Sequence, residues 1–407
     1  MADDVEECRT ALKKCPPGHS DRLSSLNDLA LSLRVRFIQQ GVPSDLAESI
    51  ELNRAALLLC PPGHSDRSQP LNLLALSLRD RFTQGGVVSD LDESIELYRA
   101  ALLLRPPGHP LRSQSLNNLA MCLRDKFTQL GVPSDLDESI ELNRATLLLL
   151  PLSHPFRSLS LHNLAICLRD KFTQGGVVSD IDESIELNRA ALLLRPPGHS
   201  DRSLSLNNLA MSLQDRFTQR GALSDLDESI ELNRAALLLH PPGHPLRSTS
   251  LNNLANSLRD KFTQLGVPSD LDESIEFNRA ALLLLPLGHP SRSMSVYNLA
   301  NSFQDRFTQL GVPPDLDESI ELSRAALLLC PLGHPLRSLS LYNLAASLRD
   351  RFTQRGAPSD LDESIELNRA ALLLHPSDHP LRSQSLNNLA MCLRDKFTQG
   401  GVVSDLD

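Results

Sequence analysis

Long apolar runs are missing from this sequence of 407 residues, and the longest, such as 280–288, are far too short to span a bilayer. The acidic start, MADDVEECRT, lacks the apolar segment of a signal peptide. Basic charge is scarce too: a net charge of −10 argues against nucleic acid or a membrane surface as the main partner. The seven cysteines are too few and too irregular for a disulfide framework, which predicts reduced thiols and a cytoplasmic protein.

Catalytic and cofactor motifs are also absent. The chain contains no P-loop, no Gly-x-Gly-x-x-Gly, no Gly-x-Ser-x-Gly and no Cys/His pair in a non-repeating context. A catalytic site is normally unique in a chain, whereas almost every residue here recurs. We therefore expect no enzyme activity, no catalytic residues and no cofactor.

One histidine recurs every 45 residues and marks a repeat that runs along the whole chain. The nine histidines are His19, His64, His109, His154, His199, His244, His289, His334 and His379. Each stands alone in a predicted turn, without a second ligand at His-x-x-x-His or Cys-x-x-Cys spacing, so we expect a structural turn residue and no metal site. Positions in a repeat are counted below from this histidine as position 0.

The residue pattern of each repeat predicts two helices. Leu, Leu, Ala, Leu and Phe stand at positions 7, 10, 11, 14 and 18 in almost every copy, a spacing that places them on one face of a helix. This helix A is predicted over positions 4 to 21, and a glycine at position 22, such as Gly131, ends it. Helix B is predicted to begin at Asp135 and its equivalents, where Glu138 gives nearly a capping-box spacing, and to stop before the next Pro-Pro-Gly or Pro-Leu-Gly.

A single helix pair cannot bury enough apolar surface to offset the entropy of ordering its residues. Neighbouring pairs must cover its flanks, so the sequence predicts an all-α solenoid. We expect one solenoid over 1–407, with a lone helix B in 1–19, eight helix A/B repeats in 20–378 and a lone helix A in 379–407. Neither end carries a polar capping helix, which predicts a fragment of a longer array or end-to-end self-association.

The repeat resembles the tetratricopeptide repeat (TPR) in the pattern Leu-x-x-Leu-Ala-x-x-Leu, then Ser-x-x-x-Asn-x-x-Ala, then Pro. In the third repeat the matching residues are Leu116, Leu119, Ala120, Leu123, Ser139, Asn143, Thr146 and Pro151. The long unit looks most like the repeats of kinesin light chains and of fungal proteins that carry a caspase-like CHAT domain. The resemblance implies a right-handed superhelix whose A helices face a concave groove.

Two adjacent positions in the middle of helix A supply the candidate binding residues. If positions 7, 10, 11, 14 and 18 face the packed core, positions 8 and 9 lie on the opposite, exposed face, where an amide can both donate to and accept from a peptide backbone. In TPR clamps, an asparagine that matches position 9 contacts the bound peptide, and the resemblance carries this role over. The residues at position 9 are Asn118, Asn163, Asn208, Asn253, Asn298, Asn343 and Asn388. The candidates at position 8 are Asn117, Asn207, Asn252, Tyr297 and Tyr342. For the position-9 asparagines the alternative is an inter-helix hydrogen bond, or a position that merely tolerates asparagine.

Positions 15 to 17 are usually Arg-Asp-Lys or Arg-Asp-Arg, as at Arg124, Asp125 and Lys126. Such cations could hold a carboxylate of a partner. They lie near the C-terminus of helix A, beside the acidic start of helix B, so pairing with Asp and Glu across the turn is the favoured interpretation.

The sequence therefore predicts a non-catalytic scaffold that binds a peptide or protein along the helix A face, and it does not specify the partner. An alternative is the sensor or regulatory arm of a larger effector, for example a CHAT protease. A third interpretation is a structural element that assembles end to end.

Overall fold

The computed structural model describes residues 2–334, 336–374 and 382–400, in which there are 18 α-helices, one 3-10 helix (Ser65–Arg67) and no strand. Contacts divide the chain into two compact units, Met1–Gly198 and His199–Asp407. The first unit contains α1 (Ala2–Lys14), α2 (Arg22–Gln40), α3 (Pro43–Leu59), α4 (Ser68–Gly85), α5 (Val88–Leu103), α6 (Arg112–Leu130), α7 (Pro133–Leu149), α8 (Arg157–Gly175) and α9 (Val178–Leu193). The second contains α10 (Arg202–Arg220), α11 (Leu223–Leu238), α12 (Arg247–Leu265), α13 (Pro268–Leu283), α14 (Arg292–Leu310), α15 (Pro313–Leu328), α16 (Arg337–Arg355), α17 (Pro358–Leu373) and α18 (Arg382–Gly400).

Consecutive helices pair as the sequence predicts, which confirms an all-α solenoid of helix A/B repeats. Even-numbered helices from α2 to α18 are A helices, and odd-numbered ones are B helices. His379 and the end of the predicted last repeat, 401–407, lie outside the described residues. That all 407 residues form a single solenoid stays a prediction.

Helix A ends at its glycine because the backbone there turns left-handed. In α6, Leu116, Leu119 and Leu123 are at most 5% exposed, as their spacing predicts. Gly131 follows with φ at 69°, and its N–H donates to the carbonyl oxygen of Phe127 at 2.7 Å. A side chain is disfavoured at this φ, so glycine ends the helix at little conformational cost.

Helix B begins two residues earlier than predicted. Asp135 is not the N-cap: α7 begins at Pro133, and Val132 precedes it without a side-chain cap. Proline suits the first helical position because its φ is already helical and it has no N–H to satisfy. Asp135 instead occupies the first turn, where a carboxylate still interacts favourably with the helix dipole.

Within each unit, helix B packs against the helix A of the next repeat, so these pairs have no closed core of their own. Leu136 and Ile140 of α7 pack against Leu164 and Leu168 of α8. The second unit repeats this arrangement between α13 and α14. Coverage from both sides is what a quasi-one-dimensional array needs, because a single pair leaves apolar side chains open.

The marker histidines act in the turns, as predicted. Nδ1 of His109 accepts a hydrogen bond from the backbone N–H of Leu111 at 3.1 Å, and seven further histidines make the same contact. The arginine at position 3 closes the preceding helix, as Nη1 of Arg157 donates to the carbonyl oxygen of Leu150 at 2.6 Å. Each turn thus satisfies backbone groups that helix ends leave without partners.

No group of three or more His, Cys, Asp or Glu side chains is placed to hold a metal ion in the described part of the chain. None of the helices within those same ranges is long and apolar enough to cross a membrane.

Candidate partner-binding surface

The asparagines at position 8 of α6, α10 and α12 are covered rather than open. Asn117, Asn207 and Asn252 are each 8% exposed, so the prediction that their amides lie on an exposed face is wrong. Helical period identifies which residues share a face, but it does not show how closely a neighbouring helix approaches that face.

These buried amides join successive A helices. Nδ2 of Asn252 donates to Oγ of Ser295 on the next helix A at 2.7 Å, and Asn207 makes the equivalent contact to Ser250 at 3.5 Å. The structure thus shows an inter-helix hydrogen bond at each of these two residues. Buried amides require such partners, because an unpaired one would lose its bonds to water.

Position 9 is more accessible, although not uniformly. Asn163 is 8% and Asn298 5% exposed, and Nδ2 of Asn163 donates to Oδ1 of Asn117 on the preceding helix A at 2.8 Å. The other five position-9 side chains are half-buried: Asn118, Asn208, Asn253, Asn343 and Asn388. These five amides are the ones that a bound chain could reach.

The two tyrosines at position 8 line cavities in the second unit. Tyr297 and Tyr342 are half-buried and, with Asn343, border a cavity of about 290 Å³ between α14 and α16. Tyr342 also lines an adjoining cavity of about 160 Å³ with Asn368 and Asn388. An aromatic face beside amides offers both apolar contact and hydrogen bonds to a partner side chain.

A smaller cavity of about 100 Å³ in the first unit also contains predicted site residues. Asn117 and Asn118 line it together with Leu150 and Phe156. Position 41 is Leu150 here, whereas the preceding repeat has Arg105, whose Nη1 donates to Oγ of Ser115 at 2.6 Å. The cavity is thus found in a repeat where a shorter apolar leucine stands in place of this arginine.

The basic residues at positions 15 and 17 have different partners. At position 17, Arg81 pairs with Asp90 in the first turn of the following helix B at 2.6 Å, so pairing across the turn is confirmed there. At position 15 the arginine reaches the next helix A instead. Nε of Arg124 lies 2.6 Å from Oδ2 of Asp170, and Arg79 pairs in the same way with Asp125 at 2.7 Å. These pairs form a ladder of alternating charge along the A helices.

The ladder is interrupted twice in the second unit, where position 15 is glutamine. Gln214 and Gln304 donate from Nε2 to Asp260 and Asp350 at 2.6 Å each. Burial raises the pKa of both carboxyls above the ordinary value, and the neutral amide only partly opposes this. Sequence analysis missed these positions, although their signal is visible: QDRF stands at 214–217 and 304–307 where other repeats have RDKF or RDRF.

Comparison with known proteins identifies the repeat. Residues 203–246 match the family model of the tetratricopeptide repeat. The repeats that begin at His19 to His334 carry the same residue types at the same positions, and their described residues fold into the same helix pair. The described helix pairs are therefore TPR-like repeats.

Several solved structures are similar to this chain. A Podospora anserina putative kinesin light chain with nearly identical TPR-like repeats is 21% identical, with 54% of this chain and 98% of that one covered and a TM-score of 0.40. BtubC (BKLC) from P. vanneervenii is 20% identical, with 60% and 91% covered and a TM-score of 0.41. The human IFIT1 dimer with PPP-AAAA is 13% identical, with 98% and 87% covered and a TM-score of 0.46. No curated protein matches the sequence.

Proposed function

We propose that this TPR array is a non-catalytic scaffold that binds an extended segment of a protein partner along the A helices. The observation that carries the proposal is that the A helices of each unit present half-buried position-9 amides, and that Tyr297 and Tyr342 border cavities in the second unit. An amide can donate to and accept from a peptide backbone at once, which suits recognition of an extended chain. TPR arrays are in general interaction scaffolds, and the proposal concerns which surface of this one is used.

A displayed library of random 12-residue peptides tests this proposal. Peptides selected on the full chain are compared on a triple variant, Asn118→Ala, Asn253→Ala and Asn343→Ala, by titration calorimetry. We expect affinity to fall at least tenfold, because each alanine removes a half-buried partner for the peptide backbone.

The matched control replaces three exposed side chains on B helices, with Leu148→Ala, Leu283→Ala and Leu328→Ala. These leucines are 87% or 88% exposed, so their removal disturbs little packing. Equal affinity of the amide variant and the wild type, with both folded, would remove the helix A face as the binding surface.

The alternative is a regulatory arm of a larger effector, such as a CHAT protease, as the resemblance to fungal CHAT proteins implies. Extending the coding sequence past residue 407 tests it. A following α/β region with a Cys/His pair would favour the arm, and a stop codon directly after residue 407 would contradict it.

End-to-end self-association stays a prediction. Sedimentation velocity over a hundredfold concentration range should then show a rising mass, and a concentration-independent monomer would contradict the idea.

A further inference from the structure

The cavity beside Asp350 differs from its counterpart in the first unit by a missing cation. In the first unit the equivalent cavity, between α6 and α8, is lined by Arg79, Asp125 and Asn143 and measures only about 30 Å³. In the second unit the cavity between α16 and α18 measures about 160 Å³. Gln304 replaces the arginine of the ladder there, and Ala346 stands where α6 has Met121.

Arg79 shows what occupies this place when the chain supplies its own cation. Its guanidinium lies against Asp125, with Nε 2.7 Å from Oδ2. Gln304 gives Asp350 one neutral donor at 2.6 Å, and its own Oε1 is held by Oγ of Ser347 at 2.7 Å. The glutamine is therefore fixed in place, and among the described residues the Asp350 carboxylate has no guanidinium partner of the kind that Asp125 has.

A buried acceptor also lines the cavity. Asn368 is fully buried and lines the cavity. Its Nδ2 donates to the carbonyl oxygen of Ser364 at 3.0 Å, and its Oδ1 has no hydrogen-bond partner within the described residues. Oδ1 is equally without a partner within the described residues at Asn53, Asn143, Asn233 and Asn278, so the unused acceptor belongs to the repeat. The cavity of about 160 Å³ beside Asp350, against about 30 Å³ in the first unit, leaves room for an incoming donor to reach it at Asn368.

Arg349, the one basic side chain among the described residues that line this cavity, is already paired. Its Nε lies 2.9 Å from Oδ2 of Asp395, which continues the ladder to α18. Because the charges of Arg349 and Asp395 neutralise each other, the Asp350 carboxylate supplies the net charge at the wall of the cavity. Tyr342 adds an aromatic face, which attracts a cation through its quadrupole.

We infer that this cavity is a cation subsite that takes the ammonium or guanidinium group of a basic side chain from the bound partner. The inference rests on the proposed function, because the cation belongs to the partner segment lying along the A helices. The incoming group would donate to Asp350 and Asn368, as charge-assisted hydrogen bonds favour. The partner segment is accordingly one that presents lysine or arginine to α16 and α18.

The test uses the full chain labelled with ¹⁵N in asparagine and a lysine probe, N-acetyl-lysine N-methylamide, titrated to tens of millimolar. We expect saturable shifts of the side-chain amide signals of Asn368 and Asn388. The isosteric neutral probe, N-acetyl-norleucine N-methylamide, should leave both signals in place. Absence of saturable shifts with the lysine probe would overturn the inference.

Two matched variants sharpen the outcome. Gln304→Arg restores the ladder of the first unit and should weaken lysine binding at least tenfold, and Arg79→Gln should create a second lysine site detected at Asn143. Equal binding by wild type and folded Gln304→Arg would also overturn the inference. Asp350→Asn provides a second loss of charge if Gln304→Arg proves unstable.

The outcome is separable from that of the proposed function. If library peptides bind without any preference for lysine or arginine and the lysine probe shifts no amide signal, the cation subsite alone is contradicted. An amine that binds while no peptide is ever selected leaves the cavity intact and removes the peptide scaffold.

Discussion

Arg36 and Asp45 form a two-point ion pair across the turn between helix A and helix B. Nε of Arg36 donates to Oδ2 of Asp45 at 2.6 Å, and Nη2 donates to Oδ1 at 2.8 Å. The Asp45 side chain is 5% exposed and that of Arg36 is 22% exposed. The same pair recurs in both units, at Arg81–Asp90, Arg216–Asp225, Arg306–Asp315 and Arg351–Asp360.

Asp45→Asn should lower the free energy of unfolding by about 1.5–3 kcal/mol at pH 7, the usual range for hydrogen bonds to charged groups. The neutral amide cannot accept both bonds, and it leaves the guanidinium without its counterion. Urea denaturation followed by circular dichroism measures the change. The exposed pair of Arg99 and Glu138 supplies the control, since Glu138→Gln should cost less than about 1 kcal/mol.

The same pair predicts a loss of stability in acid. The hydrogen bond from Arg36 holds the pKa of Asp45 below its ordinary value. The folded state thus favours the ionised form, and this stability is fully present above the unfolded pKa of about 3.9 and disappears as pH falls through the lower folded pKa. Urea midpoints measured from pH 7 down to pH 2 should decrease as the pH passes through that window, and they should decrease less steeply for Asp45→Asn. Identical pH profiles would contradict the assignment.

The contribution of Asp350 to the pH dependence of stability should have the opposite sign. Burial raises its pKa, so the folded state holds the proton more tightly than the unfolded state does. Ionisation therefore opposes folding above the folded pKa, and this opposition disappears as pH falls from the folded pKa to the unfolded one. Asp350→Asn should raise the midpoint of urea unfolding at pH 7 and leave it nearly unchanged near pH 3. A lower midpoint at pH 7 would show that the carboxylate stabilises this helix pair.

Leucines of the two helices should respond differently to truncation. Leu119 is 2% exposed in α6, and Leu119→Ala should cost about 2–5 kcal/mol because it leaves a cavity in close-packed surroundings. Leu148 in α7 is 88% exposed, and Leu148→Ala should change stability by less than about 0.5 kcal/mol. Urea midpoints of the two variants separate the cases, and similar costs would argue against the packing described here.

Buried thiols should resist alkylation in the folded protein. Burial raises the pKa of Cys122 to about 12 and that of Cys167 to about 11, so little reactive thiolate forms at pH 8. Iodoacetamide labelling followed by peptide mass spectrometry should modify the half-buried Cys8 first. Both buried cysteines should react at once in urea, and rapid native labelling of Cys122 would contradict its burial.

Much of the fold could be predicted because its signals are local. The spacing of Leu116, Leu119 and Leu123 specifies one face of a helix, and Gly131 specifies its end, through interactions within four residues. The start of helix B was misplaced by two residues because Pro133 and Asp135 are both good start signals, and the proline preceded the acid.

The candidate surface could be predicted only in part. Position 9 was correctly placed away from the core leucines, yet the exposure of Asn117 and Asn163 was wrong, since each depends on how closely the next helix A packs. The cavity at Asp350 was missed altogether. Its signal, Gln304 in place of arginine, carries meaning only once the ladder partner is known.

The sequence by itself determined the helices, their 45-residue repetition and the residues that each helix turns inward, because these follow from side-chain spacing and turn chemistry along the chain. The tertiary structure alone decided which amides are covered and which carboxylates lack a cation. Those outcomes depend on pairs such as Arg124 and Asp170, which lie on neighbouring A helices. No local period encodes which atoms of two such helices meet, since that is set by how their side chains pack together.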